Sequence, residues 1–172
     1  MLQWHEGRRS LEWEASHDSL TGLTNRRAFV DGIVRRLADG ITGAVFYLDL
    51  DHFKAVNDAH GHLVGDQMLA AAGERLRASA RPDDVVARLG GDEFAVFCPG
   101  LDDERAAIER GQRFVDALSD PITVEGISAV VGASVGVALV DGDTVVDEVL
   151  ARADAMLLEA KADGRGRVRI RR

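Results

Sequence analysis

The run Gly43-Ala-Val-Phe-Tyr-Leu-Asp-Leu-Asp51 constrains the fold of this chain more than any other segment. It is apolar, β-branched or aromatic until two aspartates appear at its end. Such a run reads as a central strand, covered on both faces, that delivers carboxylates to an edge of a sheet. Asp49 and Asp51 are two positions apart, so a strand continued through both puts them on one face. Two carboxylates buried there without a cation would be costly. A hard metal ion resolves the conflict. A strand that frays at Leu50 resolves it differently, by leaving the second aspartate in water.

The surrounding elements set the fold class. Thr24 or Asn25 caps a helix whose apolar positions Phe29, Ile33 and Leu37 recur every four residues, and Gly40 stops it. A second helix is expected over 63–79, then two short strands at 85–89 and 93–98 joined by Gly90-Gly91-Asp92, whose glycines supply the positive φ angles of a tight hairpin. A charged helix over 103–119 follows. Ile122 to Val140 supplies one or two strands, and 145–163 a last helix with Val149, Ala153, Met156 and Ala160 on one face. Val168-Arg-Ile170 closes the sheet. This order predicts an α+β domain over 18–172, with a central mostly antiparallel sheet flanked by helices. Residues 1–17 are charged, with Trp4, Leu11 and Ala15 at helical spacing. They read as an N-terminal leader helix, either simply solvated or a stalk that couples the domain to a sensor or to a second copy.

Composition narrows the partners. A chain of 172 residues, 46% apolar, can bury one core. The 21 Lys and Arg against 29 Asp and Glu give a net charge of −8, which argues against a DNA or RNA polymer gripped by its phosphates. A nucleoside triphosphate would instead need a metal ion held by carboxylates, helped by a few Lys, Arg or backbone N–H groups. The N-terminus has no apolar core of a signal peptide, and the stretch Gly126 to Val140 is too short and too interrupted to span a bilayer. The expectation is a cytoplasmic segment without membrane contact of its own, even where a parent protein is membrane-anchored. The sole cysteine, Cys98, suits a reducing compartment, and its apolar setting predicts a buried thiol.

Gly90-Gly91-Asp92-Glu93-Phe94 places two acids beside a backbone stripped of Cβ atoms, where a phosphate can approach closely. Gly61 and Gly65 bracket a helix entry whose N–H groups favour phosphate. His60 and His62 lack Cys or Glu partners at zinc spacing and read as hydrogen-bonding loop residues. Arg81-Pro82-Asp83-Asp84 has the form of a type I turn, with proline at its second position.

Asp18-Ser-Leu-Thr-Gly-Leu-Thr-Asn25-Arg26-Arg27, the block from Asp49 to Asp66, Arg88-Leu-Gly-Gly-Asp-Glu-Phe94, Ser134-Val-Gly-Val137, and Ala153-Asp154 through Lys161 to Gly164-Arg165 follow one another along the chain. In that order they resemble the GGDEF family of bacterial diguanylate cyclases. The resemblance implies a ferredoxin-like core related to the palm of nucleotidyl cyclases and polymerases. It implies condensation of two GTP into cyclic di-GMP, with magnesium, or manganese in its place, on Asp49, the Leu50 carbonyl, Asp92 and Glu93.

By the same resemblance, Asp92 or Glu93 accepts the proton of the attacking 3′-hydroxyl. Phe53 and Lys54 offer backbone N–H groups to phosphate, and the Lys54 ammonium stabilises charge on the phosphoryl group. Gly90 and Gly91 leave room for substrate, Lys161 and Arg165 hold the β and γ phosphates, and Asn57 and Asp66 read guanine with His62 nearby. A carboxylate can accept from guanine N1–H and the exocyclic amine together, a donor pair adenine lacks. Arg81 and Asp84 match an RxxD site at which product inhibits, completed by Arg110 or Arg113. One GTP per domain implies a homodimer. The chain departs from the family at Leu158, usually tyrosine, and at Gly166, usually asparagine. The rival reading is a GTP- or cyclic di-GMP-sensing domain of a larger signalling protein, such as one with a phosphodiesterase partner. Intact Asp49, Lys54, Asp92, Glu93, Lys161 and Arg165 argue for the enzyme.

Overall fold

In the computed structural model, which describes residues 13–142 and 144–171, the aspartate-bearing run forms β2 (Gly43–Leu50), buried along its whole length. It pairs antiparallel with β4 (Glu93–Pro99) on one side and β7 (Ala133–Val140) on the other. Beyond β4 lie β3 (Val85–Gly90), antiparallel, and the short β1 (Thr24–Asn25), parallel to β3. Beyond β7 lies β8 (Val168–Arg171), parallel to it. The order β1-β3-β4-β2-β7-β8 makes a mixed sheet, antiparallel at its centre and parallel at both edges. A separate hairpin, β5 (Ile122–Val124) and β6 (Ile127–Ala129), adds a strand beyond the one or two expected before Val140.

Among the described residues five helices flank the sheet: α1 (Arg26–Ala38), α2 (Phe53–His60), α3 (His62–Ser79), α4 (Glu104–Ser119) and α5 (Val146–Ala162). Strand alternation divides the core in two. Phe46, Leu48, Leu50, Phe94 and Val96 pack against Phe53, Met68 and Leu76 of α2 and α3 and Phe114 of α4. Val45, Tyr47 and Phe97 on the other face meet Phe29 and Ile33 of α1 and Val149 and Leu157 of α5. Asn25 is the α1 cap, its side chain accepting from the Ala28 N–H at 2.9 Å.

Two expectations need correction. The block after Asp51 is not a loop: α2 occupies it, so His60 closes one helix and His62 opens the next. The helix has only eight residues and no side-chain cap at His52, and it buries only Phe53 and Val56. The leader helix expected over 1–17 falls mostly outside the described residues, Trp4 and Leu11 included. Trp13 and Glu14 are helical, and Ala15, expected on the helix face, is in a turn. Among the described residues no helix is long and apolar enough to cross a membrane.

Helix α5 lies directly on β7. A Cβ on Gly136 would overlap the Ala153 carbonyl oxygen and the Leu157 amide nitrogen, both backbone atoms that cannot rotate away. Gly136→Ala is accordingly expected to lower stability by about 1–3 kcal/mol, read as a lower urea midpoint. A midpoint equal to that of the unmodified chain would mean that α5 can lift off the sheet at no cost.

Candidate functional site

Asp49 sits near the end of β2, directly across from Glu93 on β4 and Ser134 on β7. It is 8% exposed, and its Oδ2 accepts from Lys161 Nζ at 2.5 Å. Burial pushes the Asp49 carboxyl above its ordinary value; the Lys161 ammonium opposes the rise and the facing Asp92 carboxylate adds to it. Asp49 and Asp92 therefore share one small volume rather than opposite sides of the sheet. The Leu50 N–H donates to the Asp92 carbonyl at 3.2 Å, tying the hairpin tip to the strand end.

The tip is Gly90 and Gly91, with φ of 138° and 52°, angles that glycine adopts without a Cβ penalty. A Cβ at either position would meet nothing within 4 Å, so the space above the turn is open. The turn is braced from behind. The Arg88 guanidinium donates to the Gly91 carbonyl at 3.0 and 2.8 Å and pairs with Asp18 at 2.9 Å. Burial alone would raise the Asp18 carboxyl, but Thr21 and Arg88 together hold it below the ordinary carboxylate value. This brace gives the Asp18 segment a structural task that its sequence did not announce.

After Leu50 the chain turns through His52, which has φ 60°, and begins α2 at Phe53 with no side chain capping the first turn. The N–H end of the helix thus faces the carboxylates, a polarity that suits an anion. A cavity of about 230 Å³ lies here, and its walls include Asp49, Leu50, Phe53, Lys54, Asp92, Lys161 and Arg165, all expected to bind metal or phosphate. Glu93 lies on the Asp49 face but walls a neighbouring cavity of about 350 Å³ with Arg26, Tyr47 and Asp154. Asn57, His62 and Asp66 stand outside both, at the α2–α3 elbow around Gly61. A Cβ on Gly65 would overlap the Asn57 amide oxygen, so that side chain lies over α3 at the position next to Asp66.

Asp51 fits neither expectation for it. The strand does end at Leu50, yet Asp51 is 5% exposed rather than solvated. Ser134 Oγ donates to its two oxygens at 2.9 and 3.1 Å, and the Gly166 N–H donates at 3.0 Å. Ser134 and Gly166 were visible in the sequence, but nothing local ties them to a residue so far away in the chain.

Among the described residues, no three His, Cys, Asp or Glu side chains stand close enough together to cage a metal. Magnesium does not need such a cage, because it is usually held by one or two carboxylates, water and substrate phosphates. Asp49, Asp92 and the Leu50 carbonyl form an oxygen-only donor set of that kind, and Lys161 supplies the cationic charge on Asp49 in this structure. The residues fit the ion.

The RxxD turn borders a larger cavity of about 680 Å³, walled by His17, Arg77, Arg81 and Asp84 among others. Arg81 is exposed. Asp84, expected to accept from a guanine edge, already accepts from the Arg81 N–H at 2.8 Å and from Arg110 at 2.6 Å. Of the two candidate basic residues, Arg110 is the one paired with it.

A family profile described as "Diguanylate cyclase, GGDEF domain" matches residues 15–167. The chain is 44% identical over 161 residues to "Cyclic di-GMP phosphodiesterase NbdA" of Pseudomonas aeruginosa, covering 91% of this chain and 20% of that protein. It is 38% identical over 169 residues to "Probable diguanylate cyclase DgcE" of Escherichia coli, covering 94% of this chain and 15% of that one. A crystal structure of the coiled coil and GGDEF domain of DgcB from Caulobacter crescentus, in complex with c-di-GMP, superposes with a TM-score of 0.89 at 29% identity, covering 98% of this chain and 92% of that one. The chain thus spans about a fifth or less of the length of these curated relatives.

Proposed function

From the premise that the chain belongs to the GGDEF diguanylate cyclase domain family, we propose that it condenses two GTP into cyclic di-GMP. The 3′-hydroxyl of each nucleotide attacks the α-phosphorus of the other, and two pyrophosphates leave. The observation that carries this reading is the convergence of Asp49 and Asp92 on one cavity that Lys54, Lys161 and Arg165 also line. Magnesium on Asp49, the Leu50 carbonyl and Asp92 would neutralise the triphosphate and acidify the attacking hydroxyl. Lys161 then turns from Asp49 to the terminal phosphates, beside Arg165. The uncapped start of α2 presents the Phe53 and Lys54 N–H groups to phosphate. Glu93, across the strand pair from Asp49, would take the hydroxyl proton or add a ligand, and Asp92 is the other candidate base. Asn57 and Asp66 select guanine over adenine, since a site built to pair with polar edges rejects a base that leaves them unpaired. One GTP per chain for a two-nucleotide product makes the working unit a dimer with facing half-sites.

The test is incubation of concentrated protein with GTP and magnesium, followed by detection of cyclic di-GMP and pyrophosphate, with ATP as the control. A second reading is supported by the relative whose printed name is a phosphodiesterase: a GTP- or product-sensing domain with little turnover of its own. Tight GTP binding by a dimer that releases no pyrophosphate would favour it.

Product inhibition is expected at the RxxD turn. Arg81→Ala should raise the concentration of added cyclic di-GMP needed for half-inhibition by about tenfold or more, the loss of one charge-assisted hydrogen-bonding group. Since Arg81 is exposed, the fold should not change. Unaltered inhibition would place the regulatory contact elsewhere.

A further inference from the structure

A buried carboxylate that the proposed chemistry does not use, Asp51, lines the cavity beside Arg165. We propose that Asp51 is a positioning residue: through Ser134 and the Gly166 N–H it sets the loop that carries Arg165, and so the grip on the terminal phosphates of the nucleotide. This inference rests on the cyclase reading of the cavity and deepens it.

The loop after α5 is an unusual piece of backbone. Gly164, Arg165 and Gly166 have φ of 110°, 63° and 59°, three successive residues in the left-handed half of the map. Glycine tolerates this, whereas an arginine held there is strained and persists only where its surroundings fix it. Part of the fixing is local, since the Arg165 N–H donates to the Ala160 carbonyl at 3.0 Å and the Gly164 N–H to that of Lys161 at 3.3 Å. The rest comes from the sheet. The Gly166 N–H donates to Asp51 Oδ2 at 3.0 Å and lies 3.2 Å from Ser134 Oγ, while Ser134 Oγ donates to Asp51. Ser134 is wholly buried in β7, at the position across from Asp49, so the anchor and the cavity carboxylate share one strand register.

Charge completes the device. Arg165 Nε lies 4.0 Å from Asp51 Oδ1, and the arginine side chain is 50% exposed while that of Asp51 is 5% exposed. A half-exposed arginine on a surface loop would otherwise sample many directions in water; a fixed, buried negative charge beneath it biases the guanidinium toward the cavity wall it shares with Lys161. Both Asp51 oxygens are occupied by Ser134 and Gly166, which distinguishes this carboxylate from Asp49 and makes it a support for Arg165.

The experiment uses Asp51→Asn and, independently, Ser134→Ala in the full chain, with equilibrium binding of a non-reactive GTP analogue bridged by methylene between the α and β phosphorus atoms, and of GMP. Asp51→Asn should weaken the triphosphate analogue about tenfold, in line with other supporting residues, and Ser134→Ala less. GMP affinity should stay within about twofold, because it has no terminal phosphates for Arg165 to hold. The magnesium concentration needed for half-maximal analogue binding should not move. Ser134→Ala leaves no unpaired charge beyond Asp51 itself and carries the test should Asp51→Asn fail to fold. Equal loss for GMP and the analogue would make Asp51 merely structural, and a shifted magnesium dependence would make it a ligand; either outcome overturns the assignment. If the unmodified chain binds neither nucleotide, the cyclase reading falls and takes this one with it. If it binds both and the variants match it, only the role of Asp51 is lost.

Discussion

Asp92→Ala is expected to lower cyclase turnover by about a thousandfold while the domain stays folded and still binds GTP. Asp92 stands at the tip of the β3–β4 hairpin, half-buried, beyond the last pair that holds the two strands in register. Its carbonyl, which accepts from the Leu50 N–H, is unaffected by a change of side chain, so the turn keeps its tie to β2. What the substitution removes is the hairpin's carboxylate, which faces Asp49 across the cavity. In the unmodified chain burial raises the Asp49 carboxyl and the neighbouring Asp92 charge adds to the rise, as two close anions repel. Removing one relieves that repulsion, so thermal stability should be unchanged or slightly higher even as pyrophosphate release collapses. This pairing of gained or equal stability with lost rate marks a site held against its own electrostatics for the sake of a cation. Activity within about tenfold of the unmodified chain would remove Asp92 from the metal site.

The elements that sequence pattern revealed are those whose information is local. Asp49 was legible because the strand that carries it is apolar to its end, and the acid-bearing hairpin because Gly90 and Gly91 demand a turn. The register that brings these two acidic ends together is a tertiary property, settled by β2 pairing with β4 across their lengths. Helix α2 escaped because eight residues are too few for its apolar spacing to stand out and no capping residue marks its start; the uncapped N-terminus that makes it useful is also the missing start signal. Asp51 escaped for a different reason: its burial depends on Ser134 and Gly166, which no spacing rule connects to it. The two departures from the family pattern now have physical explanations. Leu158 is 60% exposed on α5, so little packing rests on its identity. Gly166 has φ 59°, a conformation that glycine and asparagine both adopt more readily than other residues, so either can serve there.

Arg110→Ala is expected to cost about 3–5 kcal/mol of folding stability, the largest effect of any substitution considered, because it strands a buried anion. The Arg110 and Asp84 side chains are only 5% and 2% exposed and meet at 2.6 Å, and the guanidinium carbon lies 4.9 Å from the centre of the Phe114 ring. Cys98 lies close enough to feel both: burial first, then the Asp84 charge, pushes its thiol up to about 12. Domains of ordinary stability hold about 5–15 kcal/mol in all, so about a fifth or more of the total would go, with a fall in Tm of about 10 °C. Replacing both partners together, Arg110→Met with Asp84→Leu, should recover much of the loss, because the penalty comes from the unpaired charge and not from the missing attraction. The thiol gives an independent reading: Cys98 should resist alkylation in the native unmodified chain and react faster in Arg110→Ala, in proportion to the population that opens. Since Asp84 also accepts from the Arg81 N–H, loss of Arg110 should loosen the RxxD turn, and residual inhibition by cyclic di-GMP should weaken below the melting range. A single variant as stable as the unmodified chain would mean that Asp84 finds water or another cation once Arg110 is gone, and the turn would then owe its shape to its backbone alone.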